Sequence, residues 1–460
     1  MSYQSINPFN GELVKSFEEQ TDQELGKAIT TAADCFETWR KLSFPERAAI
    51  VSKAAAIMRG RAEEFARPVT LEMGKLFAES LGEVALSADI LDYYATHAER
   101  FLAPEQLNPD SGEAVVESSP LGVLFGVQPW NFPYYQLARF AGPNLMAGNV
   151  VMVKHSGTVP QCAIAYEQLW REAGAPEGAY TNLLISHDQV LSVIDDPRIR
   201  GVALTGGVAA ARGVAERAGK NVKKSTMELG GSDAFIVLED ADLDKTLTWA
   251  LWAKMNNMGQ CCIAGKRFIV VEALADRFLG KFKAAMEALK PGDPMDPGTT
   301  LGPLSTEAAL VQLVKQVDEA VAHGATLVLG GQRVDRPGAF MQPTILTDIQ
   351  PDNPAYREEF FGPVALFFRV QDEEAAIALA NDSDYGLGGS VFTRDIERGK
   401  RVASRIETGM VFVNHPTWTA SDLPFGGIKN SGYGRELSSH GIHEFVNKKL
   451  VRVADIGAPA

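Results

Sequence analysis

The sequence predicts an α/β fold built on parallel sheets, and three observations lead to this prediction. Short apolar runs typical of buried strands, such as residues 123–127 and 149–154, alternate with segments of helical periodicity. The 460 residues are too many for one ordinary core, which indicates two or three domains. The composition, with 45% hydrophobic and 22% charged residues, is typical of a globular protein.

The first hundred residues are predicted to be helical. Thr21 and Glu24 match a capping box, and the apolar residues that follow recur at helical spacing as far as Trp39. Pro45 marks the start of a second helix, and two more helices extend to about Phe101. No residue pattern typical of chemistry occurs here, so the apolar side chains of this region are expected to form core.

From residue 112 onward, strands and helices are predicted to alternate. After the strands at 123–127 and 149–154, further strands are predicted at residues 183–185, 201–205, 234–238, 268–271, 327–329, 364–370 and 409–413. This alternation indicates βαβ units around a parallel sheet. Residues 445–453 alternate between apolar and polar side chains, which is typical of an edge strand that needs a partner.

Charge and composition exclude several classes of function. The chain carries 58 acidic and 44 basic residues, a net charge of -14, which argues against a nucleic-acid or anionic-membrane surface. No run of 18 apolar residues and no signal-peptide pattern occurs, so we expect a cytoplasmic protein that does not span a membrane. The four cysteines lack disulfide spacing and are expected to be reduced thiols. The seven scattered histidines predict no metal site.

Cys261 and Cys262 are the most chemically informative residues of the chain. A thiol is the best nucleophile that a side chain offers near neutral pH. Adjacent residues of a strand point to opposite faces, so at most one of the two thiols is expected to face a given pocket. The alternative is a pair of small buried hydrophobic side chains, because free cysteine is among the most buried residue types.

Two other short patterns have both a functional and a structural interpretation. Gly206 and Gly207 lie between a predicted strand and a predicted helix, where a dinucleotide phosphate can meet helix N-terminal amides. They do not form the G-x-G-x-x-G fingerprint, so an ordinary strand-to-helix turn is equally compatible with them. Glu228 precedes two glycines, and a glutamate in such a place usually lies on a surface turn.

Five motifs along the chain together resemble the aldehyde dehydrogenase superfamily. They are Pro-Trp-Asn-Phe-Pro at 129–133, Glu-Leu-Gly-Gly at 228–231, Gly-Gln-Cys-Cys at 259–262, Glu-Glu-Phe-Phe-Gly-Pro at 358–363 and Pro-Phe-Gly-Gly-Ile-Lys at 424–429. The resemblance implies a Rossmann-like NAD(P)-binding domain, an α/β catalytic domain and a small β arm that joins subunits into a homodimer or homotetramer. The implied boundaries are 1–111 with 125–229, then 230–438, and 112–124 with 439–460.

The resemblance also assigns catalytic roles. Cys262 matches the nucleophile, whose thiolate attacks the aldehyde carbon to form a thiohemiacetal and then a thioester. The side-chain amide of Asn131 and the backbone N–H of Cys262 match the donors to the oxyanion. Glu228 matches the general base that activates water to release the acid. Cys261 is expected to pack or to stay idle.

Cofactor residues are carried over in the same way. Lys154 matches the lysine that bonds the adenosine ribose, and Glu359 matches the carboxylate that holds the nicotinamide ribose. Phe361 matches the aromatic residue beside that ribose. The residues expected to line the rest of the cofactor cleft are Trp130, Gly206 and Gly207.

The choice between NAD and NADP depends on the residue three positions after the lysine. NAD-selective relatives often carry a glutamate there, which would repel a 2′-phosphate, whereas this chain has Gly157. NADP is therefore expected to be tolerated, and His155 either assists a phosphate or is simply packed. Because no arginine is placed to pair with a 2′-phosphate, the sequence favours NAD slightly.

The helix after the Trp-Asn loop suggests the substrate. Succinate-semialdehyde dehydrogenases of this family carry an arginine at the position of Arg139, where it binds the distal carboxylate, and a guanidinium matches a carboxylate bidentately. The alternative is an ordinary arginine on the helix surface. A second arginine of some relatives is replaced by Asn256, so Thr419 and Ser421 are expected to assist. Phe140 replaces a lysine found in many relatives, which puts any proton relay through that position in doubt.

The leading hypothesis is therefore NAD(P)-dependent oxidation of succinate semialdehyde to succinate. Uncharged aliphatic, aromatic or amino aldehydes are the main alternative, in which case Arg139 is incidental. Glu228 disfavours the branch of the family in which CoA releases the thioester. A catalytically silent protein on this fold is a further alternative, and the set of Cys262, Glu228 and Asn131 argues against it.

Overall fold

The computed structural model describes residues 3–109, 112–454 and 456–457. The strands are β1 (Tyr3–Asn7), β2 (Glu12–Phe17), β3 (Glu105–Leu107), β4 (Glu113–Pro120), β5 (Val123–Gln128), β6 (Val150–His155), β7 (Tyr180–Asn182), β8 (Ile199–Gly206), β9 (Lys224–Leu229), β10 (Asp233–Val237), β11 (Gly265–Val271), β12 (Thr326–Leu329), β13 (Thr344–Thr347), β14 (Val364–Val370), β15 (Tyr385–Gly386), β16 (Gly389–Phe392), β17 (Phe412–Val413), β18 (Ile428–Lys429), β19 (Gly432–Tyr433) and β20 (Val446–Val453).

The helices alternate with these strands over most of the chain. They are α1 (Asp22–Trp39), α2 (Phe44–Gly60), α3 (Ala62–Met73), α4 (Phe77–Phe101), α5 (Pro133–Ala147), α6 (Pro160–Ala173), α7 (His187–Asp195), α8 (Val208–Lys220), α9 (Leu243–Met255), α10 (Glu272–Glu287), α11 (Glu307–Ala322), α12 (Glu373–Asn381), α13 (Ile396–Ala403) and α14 (Ser438–Ile442). Short 3₁₀ turns lie at Asn256–Gly259 and Pro354–Tyr356. None of the helices in the described ranges is long and apolar enough to cross a membrane.

Six strands form the first sheet, in the order β19-β9-β8-β5-β6-β7. All its pairs are parallel except that between β19 and β9. The central strands β5 and β6 are almost wholly buried apolar runs, as expected for a parallel sheet covered by helices on both faces. Helix α5 lies entirely within this core, because all fifteen of its residues are buried.

The order of the first sheet reverses between β5 and β8. From β5 the chain moves outward through β6 and β7, then crosses back to β8 and continues outward to β9. In open parallel sheets, ligands bind outside the carboxyl ends of the strands at such a reversal. The loops that leave β5 and β8 are therefore the places where this topology predicts a binding cleft.

The second sheet has seven strands in the order β12-β13-β14-β11-β10-β16-β17, with only β12 antiparallel to its neighbour. Its core is separate from that of the first sheet and is rich in phenylalanine, with Phe235 stacked on Phe392 at 4.4 Å between ring centroids. The short linker between β9 and β10 joins the two sheets. The carboxyl end of β9 therefore lies beside the start of the second sheet.

The third sheet is the small antiparallel arm β20-β4-β3, and it corrects the predicted domain boundaries. Strand β3 falls inside the predicted range 1–111, yet it pairs with β4 of the arm. Strand β5 belongs to the first sheet and begins two residues before the predicted boundary at 125. Strand β19 lies within the range 230–438 that was predicted to form the catalytic domain, yet it pairs with β9 of the first sheet. Long-range strand pairing decides each of these memberships, so local sequence could not locate them.

Most predicted elements are present with shifted ends. The capping box of Thr21 and Glu24 is confirmed at the start of α1, and Ser43 forms a second one at α2 that the sequence analysis missed. The strand predicted at 183–185 is wrong, because pairing with β6 occurs at β7 instead. Leu183 and Ile185 are buried, so their apolar side chains indicate core but not strand.

Candidate active site

Two cavities of about 250 Å³ each meet at Cys262. The first, which we call the tunnel, runs between α4, α5 and the segment around Thr417–Thr419 and has mostly apolar walls. The second, which we call the cleft, lies against the loops that leave β5 and β8, where the sheet order reverses. Cys262 and Gln136 line both cavities, so a molecule in the tunnel and a molecule in the cleft would meet at this thiol.

The loop before β11 holds the thiols in an unusual backbone conformation. Asn257, Met258 and Gly259 all have positive φ, with values of 51°, 57° and 74°. Only the third is glycine, and a Cβ at that position would lie 2.2 Å from the carbonyl oxygen of Gly362. The Asn257 side chain fixes the loop by donating to the backbone oxygens of Asn131 (2.8 Å) and Gln260 (3.1 Å). Strain of this kind concentrates at functional sites.

The predicted orientation of the two thiols is wrong. Cys261 and Cys262 lie in this turn and not in a strand, so they do not alternate between faces, and both line the tunnel. Both are free, and Cys262 is the more exposed of the two. Its contact with the Cys261 thiol, together with burial and the nearby charge of Glu228, raises the pKa of Cys262. This shift favours the protonated form of the Cys262 thiol, so a base beside it would be needed to form the thiolate.

Lys266 lies beneath these thiols, and the sequence analysis missed it. Its side chain is fully buried and its ammonium donates to the backbone oxygens of Cys262 (2.7 Å) and Cys261 (2.9 Å). A third contact, at 2.9 Å, is an ion pair with Glu359 Oε1. Burial opposes the charge, but Glu359 and Asp233 raise the pKa of Lys266, so it stays protonated.

Asn131 follows β5 and lines the cleft beside Cys262. Its amide donates to the Gln260 oxygen at 3.1 Å, which uses one of the two N–H groups of that amide and leaves the other for a ligand. The helix that follows has no side-chain cap of its own. Glu83 of α4 supplies one, since its Oε1 accepts from the backbone N–H of Tyr134 (2.8 Å) and Tyr135 (3.2 Å).

Glu228 lies at the end of β9, buried in the cleft wall, so the surface-turn interpretation of this residue is excluded. Burial raises its pKa to about 7, although the charge of Arg139 opposes the shift. Its Oε2 accepts from Arg139 Nη2 at 3.3 Å. Its Oε1 is buried and has no hydrogen-bond partner within the described part of the chain. A carboxyl group with a pKa near neutrality and an available oxygen is suited to general base catalysis.

Arg139 was expected to bind the substrate directly, but its guanidinium does not reach the tunnel. Its side chain is fully buried, which also excludes the helix-surface interpretation. It pairs with two carboxylates, Glu436 at 2.5 Å and Glu228 at 3.3 Å. The guanidinium also donates to Tyr135, Gln136 and Thr205. Three of these partners, Thr205, Glu228 and Glu436, lie far from Arg139 in the sequence, so only the folded chain shows that they surround this arginine.

One side of the cleft, formed by the turn between β8 and α8, can accommodate the phosphates of a dinucleotide. Helix α8 begins directly after β8, and its N-cap residue Gly207 offers no side-chain cap, so the first N–H groups of the helix remain available to a ligand. A Cβ on Gly207 would meet no atom within 4 Å, and one on Gly206 only Leu204 at 3.7 Å. The open turn therefore leaves room for a phosphate to approach the backbone.

The opposite side of the cleft presents a carboxylate and two aromatic rings. Glu359 accepts from the Gly231 N–H at 3.0 Å, and a Cβ on Gly230 would lie 2.1 Å from its carboxylate, so a larger residue at position 230 would displace that carboxylate. Trp130 and Phe361 meet edge to face at 5.8 Å between ring centroids. A carboxylate beside flat apolar walls suits the hydroxyl groups of a ribose and the ring attached to it.

Lys154 and Gly157 lie at and beyond the end of β6, outside the walls of the cleft around Cys262. The Lys154 ammonium is largely buried and donates to the backbone oxygen of His155 at 3.2 Å, and burial lowers its pKa. The His155 ring is packed between the backbone oxygens of Gln128 and Pro133. That packing supports the structural interpretation of His155.

Of the two hydroxyl residues expected to assist substrate binding, Thr419 lies in the tunnel wall and Ser421 does not. The Thr419 hydroxyl is 2.8 Å from the Tyr135 hydroxyl, which in turn accepts from Arg139 Nη1 at 3.0 Å. The described contact of Ser421 is a backbone one, from the N–H of Ser438 to its oxygen. Four more aromatic side chains line the tunnel, namely Phe132, Trp252, Trp418 and Phe425.

Comparison with known proteins agrees with this geometry. Residues 1–451 match the sequence profile described as the Aldehyde dehydrogenase family. The chain belongs to this family. It is accordingly an NAD(P)-dependent oxidoreductase of aldehydes.

Individual relatives resemble the whole chain. The "Succinate-semialdehyde dehydrogenase [NADP(+)]" of Deinococcus radiodurans is 52% identical over 450 residues, which cover 98% of this chain and 94% of that protein. A "Probable succinate-semialdehyde dehydrogenase [NADP(+)]" of Synechocystis sp. is 45% identical over 99% of this chain and 100% of its own length. The crystal structure of succinic semialdehyde dehydrogenase from Streptococcus pyogenes in complex with NADP+ superposes with a TM-score of 0.97 at 46% identity, covering 98% of this chain and 100% of that one. The names of these relatives specify NADP+, so they do not support the slight preference for NAD expected from the sequence.

Proposed function

We propose that this enzyme oxidises succinate semialdehyde to succinate and prefers NADP+. The observation that carries the chemistry is the position of Cys262, where the tunnel and the cleft meet. An aldehyde in the tunnel and a nicotinamide in the cleft would both reach this thiol. The substrate and the cofactor preference are supported by the names of relatives that match over nearly the whole chain.

The residues around the thiol take the following roles. Cys262 loses its proton to a base and attacks the aldehyde carbon, while Asn131 and the Cys262 backbone N–H donate to the oxyanion. The bound nicotinamide supplies the hydride acceptor. Glu228, through its available Oε1, takes a proton from water, and that water cleaves the thioester to release the acid and restore the thiol.

The distal carboxylate of the substrate would be held by the hydroxyl of Thr419. Arg139 has only donors, so the Tyr135 oxygen must accept from it and the tyrosine proton is free to point to Thr419. The threonine proton is then available to the tunnel. The positive charge of Arg139 thus acts through two hydrogen bonds, which replaces the direct clamp predicted from the sequence.

The preference for NADP+ is supported at the far end of the cofactor site. Gly157 stands where a glutamate would repel a 2′-phosphate, and the Lys154 ammonium nearby is bonded to a neutral carbonyl group. A phosphate would gain an ion pair with this lysine that a ribose hydroxyl could not form.

The arm supports a homo-oligomer. Strands β3 and β20 are the two edges of their sheet, and Leu450 and Val453 on β20 are each 59% exposed. An exposed edge that carries apolar side chains is a site for pairing with another chain. We expect Leu450→Lys to shift the protein toward smaller species, measured by light scattering after gel filtration, with Lys448→Leu as a matched surface change. An unchanged mass for Leu450→Lys would contradict this role of the arm.

The substrate proposal is tested by comparing succinate semialdehyde, propanal and a betaine-type aldehyde, each with NAD+ and NADP+. We expect succinate semialdehyde with NADP+ to give the highest kcat/KM. Thr419→Val should lower that value by roughly 10- to 150-fold while leaving propanal nearly unchanged, because one hydrogen bond to a charged group contributes about 1.5–3 kcal/mol. Arg139→Ala is a poorer test, because loss of its charge would leave Glu228 and Glu436 buried without their cation, at a cost of about 3–5 kcal/mol.

Uncharged aldehydes remain the second candidate, and one observation favours them. The tunnel walls contain no lysine or arginine side chain among the described residues, whereas Glu79 and Glu83 belong to them. Both glutamates are engaged, the first with the Asn257 N–H and the second with Lys75 and the start of α5. Equal turnover of propanal and succinate semialdehyde would decide in favour of this candidate.

A further inference from the structure

Lys266 has no part in the mechanism described above, although its charge lies next to the reacting thiol. The three protons of its ammonium face three acceptors, namely the backbone oxygens of Cys261 and Cys262 and the Glu359 carboxylate, at 2.7–2.9 Å. A fully buried ammonium is costly unless each of its protons is satisfied. This arrangement meets that condition and leaves no proton of Lys266 for the substrate.

The contact with Cys261 has a specific chemical consequence. The carbonyl group of Cys261 and the N–H of Cys262 belong to the same planar peptide unit, in which the two dipoles are coupled by resonance. A cation that bonds the oxygen draws electron density from the nitrogen, so the N–H becomes a stronger donor. The contact with the Cys262 oxygen holds the next peptide unit, so the direction of this N–H is also fixed.

We propose that Lys266 is a positioning residue for catalysis, which orients and polarises the peptide whose N–H binds the oxyanion. The inference rests on the proposed function, in which the Cys262 N–H is one of the two oxyanion donors. Through its ion pair, the same ammonium also holds Glu359 at the cofactor side of the cleft. Lys266 therefore links the cofactor carboxylate to the oxyanion site through one buried charge.

The test uses Lys266→Met, which keeps the length of the side chain but removes its charge and its protons. Lys254→Met is the control for removal of a buried lysine side chain, because Lys254 is also fully buried and its Nζ also donates to a backbone oxygen, that of Val364 at 2.9 Å. Burial lowers the pKa of Lys254 well below its usual value, so this variant removes the packing of a buried lysine and not a matched charge. Three rates are measured in the whole enzyme: aldehyde oxidation, hydrolysis of 4-nitrophenyl acetate without cofactor, and alkylation of Cys262 by iodoacetamide between pH 6 and 10. Ester hydrolysis forms an oxyanion, whereas alkylation forms none and reports only the thiolate.

We expect Lys266→Met to lower kcat/KM for both aldehyde oxidation and cofactor-free ester hydrolysis by at least about tenfold, less than the 10²–10³-fold that loss of a whole oxyanion donor costs. Its alkylation rate should fall by less than its ester hydrolysis does, because the ammonium also interacts with the nearby Cys262 thiolate. Lys254→Met should change none of the three rates. If Lys266→Met does not fold, Lys266→Gln carries the same test, since it also removes the charge.

Two results would overturn the proposal. Unchanged ester hydrolysis with a raised KM for the cofactor would mean that Lys266 acts only through Glu359. A fall in alkylation equal to the fall in ester hydrolysis would mean that it acts on the thiolate. Failure of the proposed function is recognised separately in the wild-type enzyme, which would then turn over neither aldehyde nor ester or would show no preference for succinate semialdehyde over propanal.

Discussion

Cys262→Ala is expected to abolish aldehyde oxidation and ester hydrolysis together, with a loss of about 10⁴-fold or more, because both reactions pass through a bond to this sulfur. Cys261→Ala should keep most of both activities. The measurement is reduced-nicotinamide absorbance for the first reaction and release of 4-nitrophenol for the second. Cys262 is the better candidate because it lines both cavities, whereas Cys261 lines only the tunnel.

The pair of variants is informative because the two thiols lie so close together. Both reach the tunnel, so position in one cavity does not distinguish them. Only a nucleophile that also faces the cleft can place its adduct against the nicotinamide. The reverse result, with an active Cys262→Ala and an inactive Cys261→Ala, would assign the chemistry to Cys261. Because that thiol does not line the cleft, this result would contradict the proposed active site.

Local patterns predicted the elements of the fold well, but not how they join. The buried strands β5, β6 and β14 are apolar runs bounded by turn residues, and their positions followed from the sequence alone. The arm strand β3 is three residues long and fully exposed, so no hydrophobic period marks it. Strand β19 is two residues long and belongs to the first sheet because both of its residues pair with β9, Gly432 with Glu228 and Tyr433 with Met227. Such memberships depend on long-range pairing.

The candidate site was predictable where a residue type is needed for chemistry. A thiol, a carboxylate and an amide at family positions led to Cys262, Glu228 and Asn131, and the structure brings all three to one cleft. Residues that hold these groups were not predictable in this way. Lys266 looks like an ordinary residue at the start of a strand, and only its three acceptors, two in the turn just before it and one on the distant Glu359, distinguish it.

The position of the Arg139 side chain also could not be predicted from local sequence. The sequence predicted a guanidinium in the tunnel because an arginine on that helix would match a substrate carboxylate. In the folded chain the guanidinium of Arg139 forms ion pairs with two internal carboxylates, Glu228 and Glu436, and these hold it outside the tunnel. The sequence carried one signal of this, since Glu436 follows an arginine in a Gly-Arg-Glu run, but nothing local indicated that it reaches α5.

The second large effect is expected when Glu228, the proposed general base, is replaced. Glu228→Gln is expected to give a burst of reduced cofactor close to one equivalent per active site and then a steady rate lower by about 10²–10⁴-fold, the usual contribution of a general base. The glutamine keeps the shape of the side chain and its contact with Arg139, but it cannot take a proton from water. The thioester on Cys262 should therefore form and then persist.

Stopped-flow absorbance measures the burst, and its amplitude is the diagnostic quantity, since the rate also depends on how Cys262 loses its proton. The steady rate of the wild type should in addition depend on pH in a defined direction. Glu228 is a base only when ionised, and burial places its pKa at about 7, so the rate should be level above pH 7 and fall roughly tenfold per pH unit below it. The residual rate of Glu228→Gln should lack this fall. A normal steady rate in that variant, or a wild-type rate that rises as pH falls below 7, would remove Glu228 as the base and leave Arg139 holding a carboxylate of purely structural importance.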